Sequence, residues 1–217
     1  LYISVFHSIS SFCNAGFDIL GGFQSLTNYN NDPVLMITTA ILIILCGLCF
    51  VVWKHLWEFP KDRKLFLHTK VVLLFVIFLI AFGTIFFFFS EFNNPYTLAK
   101  LSMGEKISAA FFQSITTRSA GYNSIDIVNM QEISKAMSIL LMFIGAAPGS
   151  TGGGVKITTF GVILVAVVSQ IRGTNHAVVF KRKISHLTIT KSLAIVSLSA
   201  MIIVTLTTIL MFLEDIP

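Results

Sequence analysis

Three uncharged apolar stretches dominate this sequence and restrict what the chain can fold into. They cover Val34–Trp53, Val71–Ser90 and Ser192–Leu213. Each has about the 20 apolar residues that a helix needs to cross a lipid bilayer. Only 12% of the residues are charged and 55% are hydrophobic, whereas about 25% are charged in an ordinary soluble domain. The sequence therefore predicts an all-α membrane protein.

Both ends of the chain fall beside patterned segments. Leu1 lies at the start of a motif that recurs later in the chain, and Pro217 follows directly on a hydrophobic run. We therefore expect the chain to be a fragment of a longer membrane protein.

Lysine and arginine are concentrated in two segments between the apolar stretches. Residues 54–70 and 172–191 hold five each, and the other connections hold eight of the ten acidic residues. Because short basic loops remain on the cytoplasmic side of the plasma membrane, we expect both segments to face the cytoplasm. Anionic lipid headgroups on that side attract such charge, so the net charge of +5 requires no nucleic-acid partner.

One motif occurs twice. Phe6–Asp18 reads FHSISSFCNAGFD and Phe112–Asn123 reads FQSITTRSAGYN. Both copies contain Phe-x-Ser-Ile, two hydroxyl residues and then Ala-Gly-aromatic, and Gly16 and Gly121 are 105 residues apart. The apolar run before each glycine is too short to cross a membrane, which is typical of a re-entrant half-helix.

A half-helix that ends in a glycine turn has the chemistry of a cation filter. Glycine lets backbone carbonyls turn towards an axis without a steric penalty from Cβ. A ring of carbonyls replaces the hydration shell of the ion, and the C-terminal end of the half-helix presents its negative dipole to the cation. The repeat thus predicts a pore, although turns arising by chance in outer loops remain the alternative.

A fourth apolar stretch, Ala136–Ile171, is interrupted by the sequence GAAPGSTGGGVK. As one helix it would be about 54 Å long, nearly twice the thickness of a hydrocarbon core of about 30 Å. Pro148 and the neighbouring glycines cannot all lie in a stable helix, so the chain must unwind there.

Three functions compete for this glycine-rich segment. A phosphate-binding loop needs adjacent Gly and Lys, but Val155 separates Gly154 from Lys156. A passive kink between helices is the second. The third, which we favour, is a gate of weakly held backbone below the filter, because a lysine inside a membrane usually has a function. The candidate gate residues are Gly149, Ser150, Thr151, Gly152, Gly153, Gly154 and Lys156.

Together these segments resemble the Trk/Ktr/HKT superfamily of potassium transporters, most closely its bacterial Ktr-type membrane subunit. The resemblance is carried by FHSISSFCNAGFD, LHTKVVL, LSMGEKISAAFFQSITTRSAGYNSIDI and GAAPGSTGGGVKITTF. It implies helix–pore-loop–helix units around a pseudo-fourfold ion pathway, of which this chain holds an incomplete set. Residues 1–56 would be the pore loop and second helix of unit two, and residues 71–171 unit three with a broken second helix. Residues 57–70 and 172–191 would be cytoplasmic loops, and residues 192–217 the first helix of unit four.

The same resemblance assigns a K⁺ filter to main-chain carbonyls of two strands. These are Asn14, Ala15, Gly16 and Phe17 in the first copy, and Ser119, Ala120, Gly121, Tyr122 and Asn123 in the second. The family usually carries Phe where Tyr122 stands, and a buried tyrosine hydroxyl needs a partner. We expect Arg118 to turn away from the filter and pair with a carboxylate. Asp18 and Asp126 are either solvated loop carboxylates or a means of concentrating cations.

The function implied is K⁺ uptake, with Na⁺ involvement as in related systems and without a covalent cofactor. The resemblance also implies a homodimer of the full-length subunit and a cytoplasmic regulatory ring that binds nucleotides. A scaffold or sensor that has lost conduction is the alternative. We predict no enzyme, because the chain has neither H-E-x-x-H nor G-x-S-x-G, the motifs of common hydrolases.

Overall fold

The computed structural model describes residues 1–21, 25–174, 177–180 and 182–213, which form eight α-helices and one short hairpin. The helices are α1 (Tyr2–Phe12), α2 (Pro33–Gly47), α3 (Phe50–Asp62), α4 (Leu67–Glu91), α5 (Met103–Thr116), α6 (Glu132–Phe143), α7 (Ile157–Ile171) and α8 (His186–Leu213). A 3₁₀ turn covers Thr27–Tyr29, and the hairpin strands are β1 (Val178–Val179) and β2 (Arg182–Lys183). The chain divides into two compact units, Leu1–Ile157 and Thr158–Pro217.

Helices α4 and α8 are each long and apolar enough to cross a membrane. They contain the predicted stretches Val71–Ser90 and Ser192–Leu213, and each helix begins at least one turn before its apolar stretch. Both predicted helices are therefore confirmed. In each case polar residues at the basic end of the stretch, such as Lys70 and Lys191, extend the helix.

The predicted single span Val34–Trp53 is instead two helices, α2 and α3, bent by 98°. Leu48 and Cys49 between them have extended backbone. The carbonyl of Gly47 at the end of α2 accepts a hydrogen bond of 3.3 Å from the amide of Ala147. The donor belongs to the glycine-rich segment, 100 residues further along the chain. The local sequence around Gly47 therefore gave no sign of the bend.

Helix α3 begins in that apolar stretch and continues to Asp62, into the segment 54–70 that was predicted to be a basic loop. It carries Lys54 and Glu58 one turn apart, with Nζ and Oε1 4.0 Å from each other. The indole of Trp53 turns back and donates to the carbonyl of Leu45, 2.8 Å away. That contact satisfies one of the free carbonyls at the C-terminal end of α2.

Helix α5 is the half-helix of the second motif, and its start is fixed by a capping box. The amide of Ser102 donates to Glu105 Oε2 at 2.8 Å, and the amide of Glu105 donates to Ser102 Oγ at 3.5 Å. This reciprocal arrangement satisfies two amides that a helix start leaves free. The helix approaches α4 closely at Gly83, where a Cβ would overlap the hydroxyl of Ser114.

The last residue of α4, Glu91, is fully buried and accepts hydrogen bonds from both connecting segments that flank α5. Its Oε2 accepts hydrogen bonds of 2.7 Å from both Asn94 Nδ2 and Thr97 Oγ1. Its Oε1 accepts from the amide of Gln131 at 2.9 Å. Gln131 is the N-cap of α6, so the carboxylate lies at the positive end of that helix dipole. One side chain thereby joins the end of α4 to the start of α6.

The second unit carries the hairpin between α7 and α8. Val178 pairs with Lys183 and Val179 pairs with Arg182, within the segment predicted to be the second basic loop. Residues 175, 176 and 181 of that segment lie outside the described part of the chain, as do residues 214–217 of the predicted last helix.

Candidate functional site

The two glycine loops have positive φ angles at equivalent positions. In the first loop φ is positive at Asn14 (51°) and Gly16 (70°), and in the second at Ser119 (84°) and Gly121 (89°). A positive φ is uncommon for residues other than glycine, and such strained positions cluster at functional sites. The repeat that is visible in the sequence therefore extends to the backbone. In both copies the two residues with positive φ are two positions apart.

The two loops meet at their glycines. A Cβ on Gly16 would overlap the carbonyl oxygen of Ala120 and lie 2.9 Å from the Cα of Gly121. A Cβ on Gly121 would lie 3.3 Å from the Cα of Gly16. Position 16 therefore requires glycine for two reasons: a side chain would collide with the backbone of the second loop, and the positive φ is unfavourable for other residues.

In both loops a hydroxyl of the half-helix holds the carbonyl of the aromatic residue. Ser10 Oγ donates to the carbonyl of Phe17 at 2.8 Å. Thr116 Oγ1 donates to the carbonyl of Tyr122 at 2.6 Å. These hydroxyls were part of the repeated motif, but the sequence did not show what they bind.

The loops are also joined beyond their aromatic residues. The amide of Leu26 donates to the carbonyl of Asn123 at 3.0 Å, and the amide of Asn123 donates to Ser25 Oγ at 3.1 Å. The carbonyl of Asn123 therefore already accepts a hydrogen bond, as do the carbonyls of Phe17 and Tyr122. The hydroxyl of Tyr122 has the partner that the sequence required, the carbonyl of Phe17 at 3.2 Å.

The predicted break in the stretch Ala136–Ile171 is confirmed, because no helix covers the residues between Phe143 and Ile157. The expectation of a weakly held backbone there is wrong. The amide of Gly145 donates to the carbonyl of Val155 at 2.9 Å, and the amide of Val155 donates to the carbonyl of Phe143 at 3.1 Å. The segment closes into a loop with a hydrogen-bonded base, since the two sides approach closely at glycines.

The candidate gate residues form the tip and one side of this closed loop. Ser150 Oγ donates to the carbonyl of Ala147 at 2.6 Å. Lys156 Nζ donates to the carbonyl of Gly152 at 2.6 Å, so the ammonium group lies against the loop itself. Gly149 and Gly154 have positive φ, which an L-residue adopts with strain.

The tip of the glycine-rich loop contacts the start of both glycine loops. Thr151 Oγ1 accepts a hydrogen bond of 3.0 Å from Asn14 Nδ2 and donates to Cys46 Sγ at 3.1 Å. A Cβ on Gly152 would lie 3.5 Å from the Cβ of Ser119. Asn14 and Ser119 are the first positive-φ residues of their loops, so the tip lies against equivalent positions of the repeat.

Arg118 directly precedes the second glycine loop and lines a small cavity of about 20 Å³. Its surroundings are apolar and include Ile43, Leu48 and Val76. The side chain is buried, and its Nε has no hydrogen-bond partner in the part of the chain that the structure describes. Within the described residues Arg118 forms no ion pair, so the expected carboxylate partner is not found there.

The two carboxylates beyond the loops make local contacts. Asp18 Oδ1 accepts from the amide of Leu20 at 3.2 Å. Asp126 Oδ1 accepts from the amide of Val128 at 3.0 Å, and its Oδ2 accepts from Asn129 Nδ2 at 2.7 Å. Both shape their own turns in the way that aspartates commonly do.

Comparison with known proteins decides the family. The family model TrkH, described as a cation transport protein, matches residues 1–216. The chain belongs to this family. The predicted resemblance is thereby confirmed, and the TrkH family is one of cation transport proteins rather than of enzymes.

Two curated relatives match nearly the whole chain. The Ktr system potassium uptake protein B of Vibrio alginolyticus is 40% identical over 216 residues, which are 99% of this chain and 47% of the relative. The potassium/sodium uptake protein NtpJ of Enterococcus hirae is 36% identical over 217 residues, which are 100% of this chain and 48% of the relative. The chain therefore spans slightly less than half the length of these relatives.

A solved structure shows the same fold. The crystal structure of the potassium transporter TrkH from Vibrio parahaemolyticus matches with a TM-score of 0.76 and 15% sequence identity. The match covers 94% of this chain and 44% of that one. It confirms the predicted fold class, a helical membrane protein built from pore-loop units.

The sequence of this TrkH family member predicted both glycine loops but not the hydrogen bonds that connect them. It did not show that Ser10 and Thr116 donate to carbonyls of the loops, or that Asn14 donates to the glycine-rich loop. The repeated pair of hydroxyl residues was a signal for the first two. The Asn14–Thr151 bond joins residues 137 positions apart, and no local pattern indicates such a contact.

Proposed function

We propose that the full-length protein takes up K⁺ across the plasma membrane through a pathway lined by these two glycine loops and their counterparts in the rest of the protein. Residues 1–56 and 71–171 would supply units two and three of that pathway. The observation that carries the proposal is that two loops with positive φ at equivalent positions meet at Gly16 and Gly121. The names of the relatives, which refer to potassium uptake, support the choice of ion.

We assign ion binding to the carbonyls of residues 14–16 and 119–121. The carbonyls of Phe17, Tyr122 and Asn123 already accept hydrogen bonds from protein donors. A backbone carbonyl has two lone pairs. Each hydrogen bond that it accepts occupies one of them, which leaves less for a cation. The filter proposed here is therefore shorter than the one implied by the family resemblance.

The glycine-rich loop is the proposed gate of this pathway. Its tip lies against the first residue of each filter segment, Asn14 and Ser119. An obstacle at that position must move before an ion can pass. The hydrogen bonds at its base restrict such movement to the tip, which the Asn14–Thr151 bond holds.

The remaining implications of the resemblance belong to the full-length protein. We propose that Na⁺ takes part in transport, as the name of the Enterococcus hirae relative suggests. We also propose that two copies associate and that a cytoplasmic nucleotide-binding ring regulates them. The basic segments 54–70 and 172–191 would face that ring and the anionic lipid of the inner leaflet.

A bacterium that lacks its own K⁺ uptake systems tests the proposal. Expression of the full-length protein, together with its regulatory partner, should restore growth at low K⁺ concentration. The same strain carrying Gly121→Arg, which fills the meeting point of the loops, should not grow. Absence of rescue by the wild type, despite normal amounts in the membrane, would favour a non-conducting scaffold or sensor instead.

A further inference from the structure

Tyr122 makes a contact between the two glycine loops that a phenylalanine could not make. Its side chain is fully buried, and its hydroxyl donates to the carbonyl of Phe17 at 3.2 Å. Tyr122 belongs to the second loop and Phe17 to the first, 105 residues away. The hydrogen bond therefore crosses from one repeat to the other, at the end of the loops that lies away from the glycine-rich loop.

The carbonyl of Phe17 is held from two sides. Ser10 of its own half-helix donates at 2.8 Å, and Tyr122 of the other loop donates at 3.2 Å. Phe17 has no hydroxyl with which to return the contact, so the connection runs from the second loop to the first. Thr116 fills the role of Ser10 in the second loop.

The surroundings of Tyr122 hold its ring in place. The ring packs in a buried cluster that includes Phe112, Ile115 and Met36. The ring of His7 is tilted by 30° to it, with centroids 6.2 Å apart. Ser11 Oγ lies 3.4 Å from the phenolic oxygen. The ring is buried while the hydrogen bond from its hydroxyl is part-buried, and a ring fixed by its packing transmits its position to the loop.

We propose that Tyr122 is a specificity-determining positioning residue, whose hydroxyl sets the spacing between the two filter segments. The inference rests on the proposed function. Discrimination between K⁺ and Na⁺ depends on the size of the carbonyl ring or on the number and field strength of its oxygens, and both change when neighbouring segments move apart. Without the hydroxyl, the loops remain in contact at Gly16 and Gly121 and through the two hydrogen bonds of Asn123. The direct hydrogen bond between their aromatic residues is lost.

The test uses the full-length protein in liposomes, with K⁺ and Na⁺ uptake measured separately. Tyr122→Phe keeps the ring and its packing, and Phe17 retains the bond from Ser10, so no buried group loses its only partner. The ratio of K⁺ to Na⁺ uptake should fall by about fivefold, the change that loss of one neutral hydrogen bond of ordinary strength produces. Tyr96→Phe removes a hydroxyl from a side chain that is 73% exposed and should leave the ratio unchanged.

The results for Tyr122→Phe separate a role in ion selectivity from a role in folding. An unchanged ratio in Tyr122→Phe, with K⁺ uptake intact, would overturn the inference and leave the proposed function standing. A lower protein amount with an unchanged ratio would show that the hydroxyl acts in folding, and would also overturn it. If the wild type transported no K⁺, the proposed function itself would fail, and the inference with it.

Discussion

Asn14 Nδ2 donates a hydrogen bond of 3.0 Å to Thr151 Oγ1, and this bond directly joins the first glycine loop to the tip of the glycine-rich loop. The residue that begins one filter segment therefore also holds the proposed gate. Movement of the tip must break this bond, so its strength should influence how often the pathway opens.

Thr151→Val tests that coupling with little change of shape. The substitution removes the acceptor for Asn14 and the donor to Cys46. The loss of about 1 kcal/mol from the closed state should raise the open fraction by up to about fivefold. Maximal K⁺ flux should rise while the apparent affinity changes little. Thr84→Val is the matched control, because that hydroxyl bonds within its own helix; a lower flux in Thr151→Val alone would argue for a passive kink.

Lys156 provides a second test of the gate. Its ammonium group donates to the carbonyl of Gly152, so it holds the loop and places a positive charge near the proposed ion path. Lys156→Ala removes both effects and should raise maximal flux per protein molecule, whereas Lys156→Arg, which keeps the charge, should raise it less. Flux assays in membranes, normalised to protein amount, check this. A fall in flux at normal protein amount would contradict the gate.

Glu91 should govern stability rather than ion selectivity. Its buried carboxylate accepts from Asn94, Thr97 and the amide of Gln131, and Glu91→Ala would leave these donors unsatisfied. We expect a loss of about 3 kcal/mol or more, since three donors lose their acceptor and each buried donor left unsatisfied costs about 1–3 kcal/mol. Thermal unfolding of the detergent-solubilised full-length protein measures it.

The control for Glu91 lies nearby on α6. Glu132→Ala removes a carboxylate that is 89% exposed and pairs with Lys135, and exposed ion pairs contribute little. An equal fall in melting temperature for both variants would refute the assignment of a special role to Glu91. Discrimination between K⁺ and Na⁺ should be the same in both variants and the wild type.

Patterns with a strong local cause were predictable from the sequence. Long uncharged stretches predicted α4 and α8, and the glycines and Pro148 predicted the break after α6. The features that were not predicted depend on contacts between distant residues. The bend after Gly47 involves a bond from Ala147, and the order of the glycine-rich loop arises from bonds between its two sides. Glycine content predicts backbone freedom but does not show which partners will restrict it.

The most direct test of the account concerns the meeting of the two filter segments. K⁺ and Na⁺ uptake should be compared in liposomes for the wild type, Gly16→Ser, Gly121→Ser and Gly104→Ser. Gly104 has open space around it and no positive φ, so its variant should match the wild type. Both other variants should discriminate less between K⁺ and Na⁺, and Gly16→Ser should be the more severe because its Cβ would overlap Ala120. Wild-type K⁺ affinity and K⁺/Na⁺ discrimination in both Gly16→Ser and Gly121→Ser would contradict the assignment of these loops as the filter.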